Sequence, residues 1–196
     1  MKNEHPILFS GEMVRAILEG QKTQTRRAMK RQPCAAPPNP WRDGWSVGGY
    51  DYFCPYGQPG ARLWVKETWA TVAAWDKQKP SDLSKTTPIY YHADKSHGSL
   101  VGWHDEDEER GRLRPSIFMC RWISRITMEI TGVRVERLRD ISEADAKAEG
   151  VIYSADPKSP YGNGHGANYR FLLESINGRG SWAKNPWVWV IEFRKL

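Results

Sequence analysis

Cysteine is scarce in this chain: Cys34, Cys54 and Cys120 are the only three among 196 residues. They are too few and too scattered for a disulfide framework, and no two stand at the short spacing of a zinc knuckle. A reduced, cytoplasmic protein with no metal or other cofactor is expected. Long hydrophobic runs are also missing. The opening stretch "MKNEHPILFSGEM" holds an apolar run of only about four residues, too short for a signal-peptide core or a membrane span, so neither secretion nor a membrane partner is expected. There is no internal repeat and no regular alternation of strand and helix of the parallel kind. The glycine-rich stretch "SPYGNGHGANYR", 159–170, follows no strand and lacks the spacing of a phosphate-binding loop, which leaves His165 incidental.

Acidic residues are the minority charge. Asp and Glu number 23 against 29 Lys and Arg, a net charge of +6, and a sequence pI near 9.3 favours a polyanionic partner such as a nucleotide or nucleic acid. The one acidic run, "HDEDEERGR" at 104–112, has consecutive carboxylates without a partnered histidine at ligand spacing and reads as a solvated face. What is plentiful is tryptophan, with ten residues. The indole suits both core packing and base stacking; packing is the expectation for most of them, with Trp45, Trp64 and Trp69 as candidates for stacking.

The length is that of one domain with insertions. "SGEMVRAILEG", 10–20, predicts a short helix with Ser10 as cap, Met13, Ile17 and Leu18 on one face and Gly20 as terminator. An extended segment over 23–27 follows, where Thr23, Thr25 and Arg27 share one face and Gln24 and Arg26 the other. Residues 33–61 hold six prolines and read as an irregular insertion or lid. Strands are expected at 62–72 and 88–93. "RWISRITMEITGVRVERL", 121–138, is either one long bent strand or two strands meeting at a glycine kink. "ISEADAKAEGV", 141–151, predicts a helix with a capping box from Ser142 to Asp145 and Glu149 in its last turn. A helix over 167–178, apolar at Phe171, Leu172 and Ile176, and a closing strand "WVWVIEF", 187–193, complete the pattern. Short helices among five or six strands argue for an α+β domain around a small, mostly antiparallel barrel or curved sheet.

The chemistry centres on "EGQKTQTRRAMKR", 19–31. A threonine hydroxyl needs a neighbouring base or cation to become a useful nucleophile. Lys22 and Thr25 stand three residues apart across the helix-to-strand transition, so their side chains could converge. A carboxylate would still be needed to carry a proton to a leaving amine, and periodicity does not choose which. On the plainer reading Lys22 is a solvated cation and Thr25 an ordinary strand residue. Arg26, Arg27, Lys30 and Arg31 also form a basic strip that suits phosphates.

"GQKTQTRR" resembles the signature of the ASCH domain family of the PUA-like superfamily. "PGARLWV", "ITGVRVERLRDISEADAKAEGV" and "NPWVWVIEF" are similar to its later blocks in the same order, which leaves 28–61, 75–115 and 153–166 as insertions in a single domain over 1–196. Where the family carries Gly-Asp before the second strand, this chain has Gly60 and Ala61. The block order most resembles phage and prophage members. The resemblance implies a PUA-like barrel with short flanking helices. It also implies amide hydrolysis on an acylated nucleoside such as N4-acetylcytidine, through a Lys, Thr and Glu triad that falls on Lys22, Thr25 and Glu149. Thr25 would attack the carbonyl, Lys22 accept or modulate its proton, and Glu149 assist the departing amine. Arg26 would contact a phosphate or brace the site. Apart from the resemblance, strand alternation in "WVKETW" lets Glu67 face the cleft and the Trp64 indole can stack on a base, which makes both candidate substrate contacts. Two other activities within the family remain open for this chain: non-catalytic RNA or DNA binding through Arg27, Lys30 and Arg31, with RNA preferred, and ribonuclease action.

Overall fold

The computed structural model describes residues 4–33, 39–41, 44–47, 49–98, 110–151 and 163–196. Its principal sheet has five strands in the order β1 (Glu4–Leu8), β6 (Arg62–Lys66), β10 (Thr127–Arg137), β11 (Trp187–Lys195) and β2 (Gln24–Ala28). β1 runs parallel to β6, while β6·β10, β10·β11 and β11·β2 are antiparallel. Two small antiparallel sheets join it: β3 (Asn39–Trp41), β4 (Gly44–Val47) and β5 (Tyr50–Tyr52), and β7 (Trp69–Ala70), β8 (Ile89–Tyr91) and β9 (Ser96–Gly98). The helices are α1 (Gly11–Leu18), α2 (Glu143–Ala148) and α3 (His165–Asn177). The architecture is α+β.

The β-rich segments form strands where branched and aromatic side chains pack on a pleated surface. β11 is buried at Trp187, Val188, Trp189, Val190, Ile191 and Phe193, as its near-continuous apolar run requires of a central strand. Among the described residues β1 and β2 end the sheet without pairing, so no barrel closes through backbone bonds. The gap is crossed by a side chain: Arg27 Nη2 on β2 donates to the Leu8 carbonyl at the end of β1, at 2.6 Å.

Several expectations are corrected. The strand expected at 62–72 is broken at Glu67 and Thr68, and its halves, β6 and β7, belong to different sheets. Within 121–138, residues Arg121–Ile123 form a 3₁₀ turn and the strand starts at Thr127. The irregularity at the glycine is present as a register shift between Ile130 and Gly132. On α3, Phe171 and Ile176 are more than half exposed, at 57% and 54%, and the buried residue is Tyr169. Tyr169, Leu172 and Leu173 make the inward stripe at helical spacing, packed on a core of Leu138, Ala146, Val188 and Val190.

The proline-rich stretch is no detached flap where it is described. Trp45 on β4 is buried edge-on against Trp189 of β11, ring centroids 4.8 Å apart. Trp69 is buried in a second core with Ile89, Tyr91, Met119 and Ile123. Both indoles pack in the interior. Ala61 is likewise a core residue, beneath His5 and Cys54 in a cavity separate from the site described below. Residues 104–109 of the acidic run and most of 153–166 lie outside the described residues. Among those that are described, no helix is long and apolar enough to cross a membrane.

Candidate active site

α1 stops where the polar segment begins. Gly20 takes φ +74°, and the Gln21 and Lys22 amides both turn back to the Ala16 carbonyl. This turn carries residues 22 and 23 across the end of α2: Lys22 and Glu149 form an antiparallel bridge, and Thr23 N–H donates to the Ala148 carbonyl at 2.8 Å. α2 is set by the expected capping box, with Ser142 and Asp145 each bonding the other's backbone. It ends at Gly150, whose φ is +78° and whose missing Cβ would stand 2.9 Å from both Ala16 Cβ and Lys22 Cβ. A glycine there is what lets α1, the Lys22 turn and α2 meet.

The convergence buries an ion pair. Lys22 is 2% exposed and Glu149 6%, and Lys22 Nζ lies 2.6 Å from Glu149 Oε2. Nζ also donates to the Gln24 and Glu149 carbonyls, each at 2.8 Å. All three ammonium protons are thereby used. Burial pushes the Lys22 pKa below its ordinary value, and the Glu149 charge opposes that shift. The other carboxylate oxygen, Glu149 Oε1, is buried without a hydrogen bond, 3.7 Å from Arg26 Nη1.

Beside the pair lies a cavity of about 540 Å³ whose wall includes Thr25, Arg26, Arg27, Glu149 and Tyr169. Thr25 is 3% exposed, and its hydroxyl has no hydrogen-bond partner among the described residues. Lys22 is not on the wall and meets the cavity through Glu149. Tyr169 stands close enough to Glu149, Arg26 and Arg27 to feel their charges. Burial pushes its phenol up, the Glu149 charge pushes the same way, and the hydroxyl stays a neutral donor.

Arg26 has the partners of a brace. Its guanidinium bonds the Gln24 side chain and Glu136 Oε2, the latter at 3.0 Å, and lies 3.2 Å from Asp145 Oδ2. Arg134 ties Glu136, Asp145 and Glu192 into the same network. Burial alone would raise the Asp145 pKa, but hydrogen bonds from Gln24 and Ser142 and the charges of Arg26 and Arg134 hold it well below the usual carboxylate range. Sequence reasoning missed Gln24, Asp145, Glu136, Arg134 and Tyr169 as members of the site. A signal existed for Asp145, whose capping role already fixed its carboxylate one helical turn before Glu149.

The structure brings Lys22, Thr25, Glu149, Arg26 and Arg27 to this region and leaves the other named residues elsewhere. Glu67, 1% exposed, is held by two 2.9 Å bonds from Arg125 where β6 breaks. Burial raises its pKa against the opposing arginine. Trp64 is half-buried on β6, with the Lys66 and Arg121 cations 5.4 and 5.9 Å from its ring. Neither lines the cavity. Lys30 and Arg31 are exposed beyond β2, and Arg31 stacks on the Tyr50 ring at 3.8 Å. No group of three or more metal-ligating side chains occurs among the described residues. Comparison with protein-family models, with curated proteins and with solved structures finds no match to the chain.

Proposed function

We propose that the cavity hydrolyses an amide on an acylated nucleoside of the N4-acetylcytidine kind. The observation that carries this reading is the placement of the partnerless Thr25 hydroxyl on the same wall as Glu149, a buried carboxylate with one oxygen held by Lys22 and the other without a bond. In the first half-reaction Thr25 Oγ bonds to the acyl carbon and gives its proton to Glu149 Oε1. Collapse breaks the C–N bond, and the leaving amine takes that proton from Glu149. In the second, water attacks the acyl-threonine ester while Glu149 removes its proton; collapse breaks the ester C–O bond, Glu149 returns that proton to Thr25 Oγ, and the acid and free Thr25 are released. Tyr169 is the donor available to the carbonyl oxygen as it gains charge. Lys22 acts through Glu149 as a positioning residue, because its three donors hold the carboxylate, the end of α2 and the start of β2 together.

The resemblance to PUA-like ASCH proteins, and with it a barrel, belongs to this same reading. Its support is the coincidence of Lys22, Thr25 and Glu149 in one place and the Arg27 link between the two edge strands. The test is turnover of N4-acetylcytidine followed as cytidine by chromatography. The wild type should turn over, Thr25→Ala should fall to background, and Glu149→Gln should lose about 10²–10⁴-fold in kcat. Absence of wild-type turnover would refute the proposal.

A second reading, nucleic-acid binding, is favoured by one observation: Lys30 and Arg31 are exposed where β2 ends, with Arg31 laid on the exposed ring of Tyr50. RNA binding that weakens steeply with salt and is reduced in a Lys30→Ala/Arg31→Ala variant would support it.

A further inference from the structure

The cavity is charged unevenly. Three cations, Arg26, Arg27 and Lys184, stand on its wall against one carboxylate, Glu149. Arg26 is already compensated by Glu136 and Asp145. Arg27 and Lys184 are not: neither forms an ion pair with a carboxylate among the described residues, and Arg27 spends one donor on the Leu8 carbonyl while its Nε is buried without a partner. On the same wall, Ser181 Oγ is buried and lacks any hydrogen bond. A buried hydroxyl left unpaired inside a cavity is an incomplete binding group.

The sheet register says where these groups lie relative to the reacting end. Along β2, Thr25 pairs with Ile191 and Ala28 with Val188. Ser181 and Lys184 lie in the turn that runs through Pro186 directly into β11, whose Val188 pairs with Ala28, so that turn meets the wall at the Ala28 end. Three residues of strand separate that end from Thr25, a distance of about 10 Å. This is the scale of a nucleotide from the exocyclic amine of its base to its 5′ phosphate. We infer that the cavity takes a phosphorylated nucleoside, with the phosphate held by Lys184 and Ser181 at the Ala28 end, Arg27 supplying charge along the way, and the acylated amine at Thr25 and Glu149. This inference rests on the reading of the cavity as a nucleoside site and narrows its substrate class. The phosphate is either that of a free mononucleotide or that of a nucleotide within a chain.

Calorimetric binding tests it without requiring turnover. The probes are cytidine, cytidine 5′-monophosphate and a trinucleotide with a central cytidine, offered to the wild type and to Lys184→Met, Ser181→Ala and Lys85→Met. Lys85 is an exposed lysine outside the cavity and controls for loss of one charge. The monophosphate or the trinucleotide should bind at least about tenfold more tightly than cytidine to the wild type and to Lys85→Met. That ratio should shrink to about threefold or less in Lys184→Met and fall in Ser181→Ala. A gain confined to the monophosphate assigns the free nucleotide, and a gain shared by the trinucleotide assigns a chain. Equal binding of all three probes, binding of none, or an undiminished ratio in Lys184→Met would each overturn the inference. Hydrolysis of N4-acetylcytidine without a phosphate-dependent gain removes this inference alone. A phosphate-dependent gain without hydrolysis of any acylated probe removes the hydrolase reading alone.

Discussion

At the scale of single residues, the Lys22 and Glu149 pair ties stability to the proposed chemistry. Removing one member of a buried ion pair leaves the other charge uncompensated, which costs about 3–5 kcal/mol, whereas replacing both by apolar groups can be nearly neutral. Glu149→Gln and Lys22→Met should therefore each lower the free energy of urea unfolding by that amount. The double variant Lys22→Met/Glu149→Leu should regain most of the stability while staying inactive. An active double variant would show that the pair serves the fold and not the reaction. The hydroxyl of Tyr169 separates from its packing in the same way: Tyr169→Phe keeps the ring against Trp182, 6.4 Å between centroids. It should lower kcat about 10²-fold with KM little changed if the phenol serves the oxyanion.

At the scale of elements, the site depends on how α2 ends. Gly150 combines a positive φ with contacts that leave no room for a methyl group, so Gly150→Ala should destabilise by roughly 1–3 kcal/mol. It should also reduce the proposed turnover, because the methyl group would displace Lys22; a Gly150→Ala variant as active as the wild type would mean that the spacing of α1 and α2 is slack. At the other end of α2, Ser142→Ala removes one half of the capping box and should cost about 1 kcal/mol in urea unfolding. Asp145 would then lose the hydroxyl that holds it in the Arg26 network. The helix was legible in the sequence because capping is local chemistry. That its cap residue also braces a buried arginine was not, since Arg26, Glu136 and Arg134 come from β2 and β10.

For the whole molecule, the acid limb of stability follows from carboxylates held down by partners. Burial would raise the Asp94 pKa, but hydrogen bonds from Arg125 and Ser96 bring it to about 2. The unfolded chain then binds the extra proton first, between the ordinary value of 3.8 and about 2, so stability rises with pH across that window. Its contribution is full above about pH 4 and is lost as pH falls through 2. Asp94→Asn should flatten the urea midpoint against pH between pH 4 and 2, and an unchanged curve would exclude Asp94 as a determinant. The net charge of +6 acts at long range and is screened by salt. Hydrolysis of an uncharged nucleoside should consequently vary little between 50 and 300 mM salt, while any binding to a nucleic-acid strip should fall steeply.

Local pattern alone was enough for the α+β class, a short helix within 10–20 stopped by Gly20, a helix opened by the Ser142 and Asp145 capping box, a closing strand within 187–193 and the irregularity near Gly132. These rest on short-range rules: periodicity, capping and the conformational freedom of glycine. The sequence also suggested Lys22, Thr25 and Glu149 together, through resemblance and not through spacing. Packing in three dimensions is what brings Lys22 and Glu149 together across 127 positions, engages Glu67 with Arg125 and not with the cavity, and turns Phe171 outward while Tyr169 faces in. Charge pairing and burial of this kind are set by which strands become neighbours. A local pattern carries no information about a partner more than a hundred residues away.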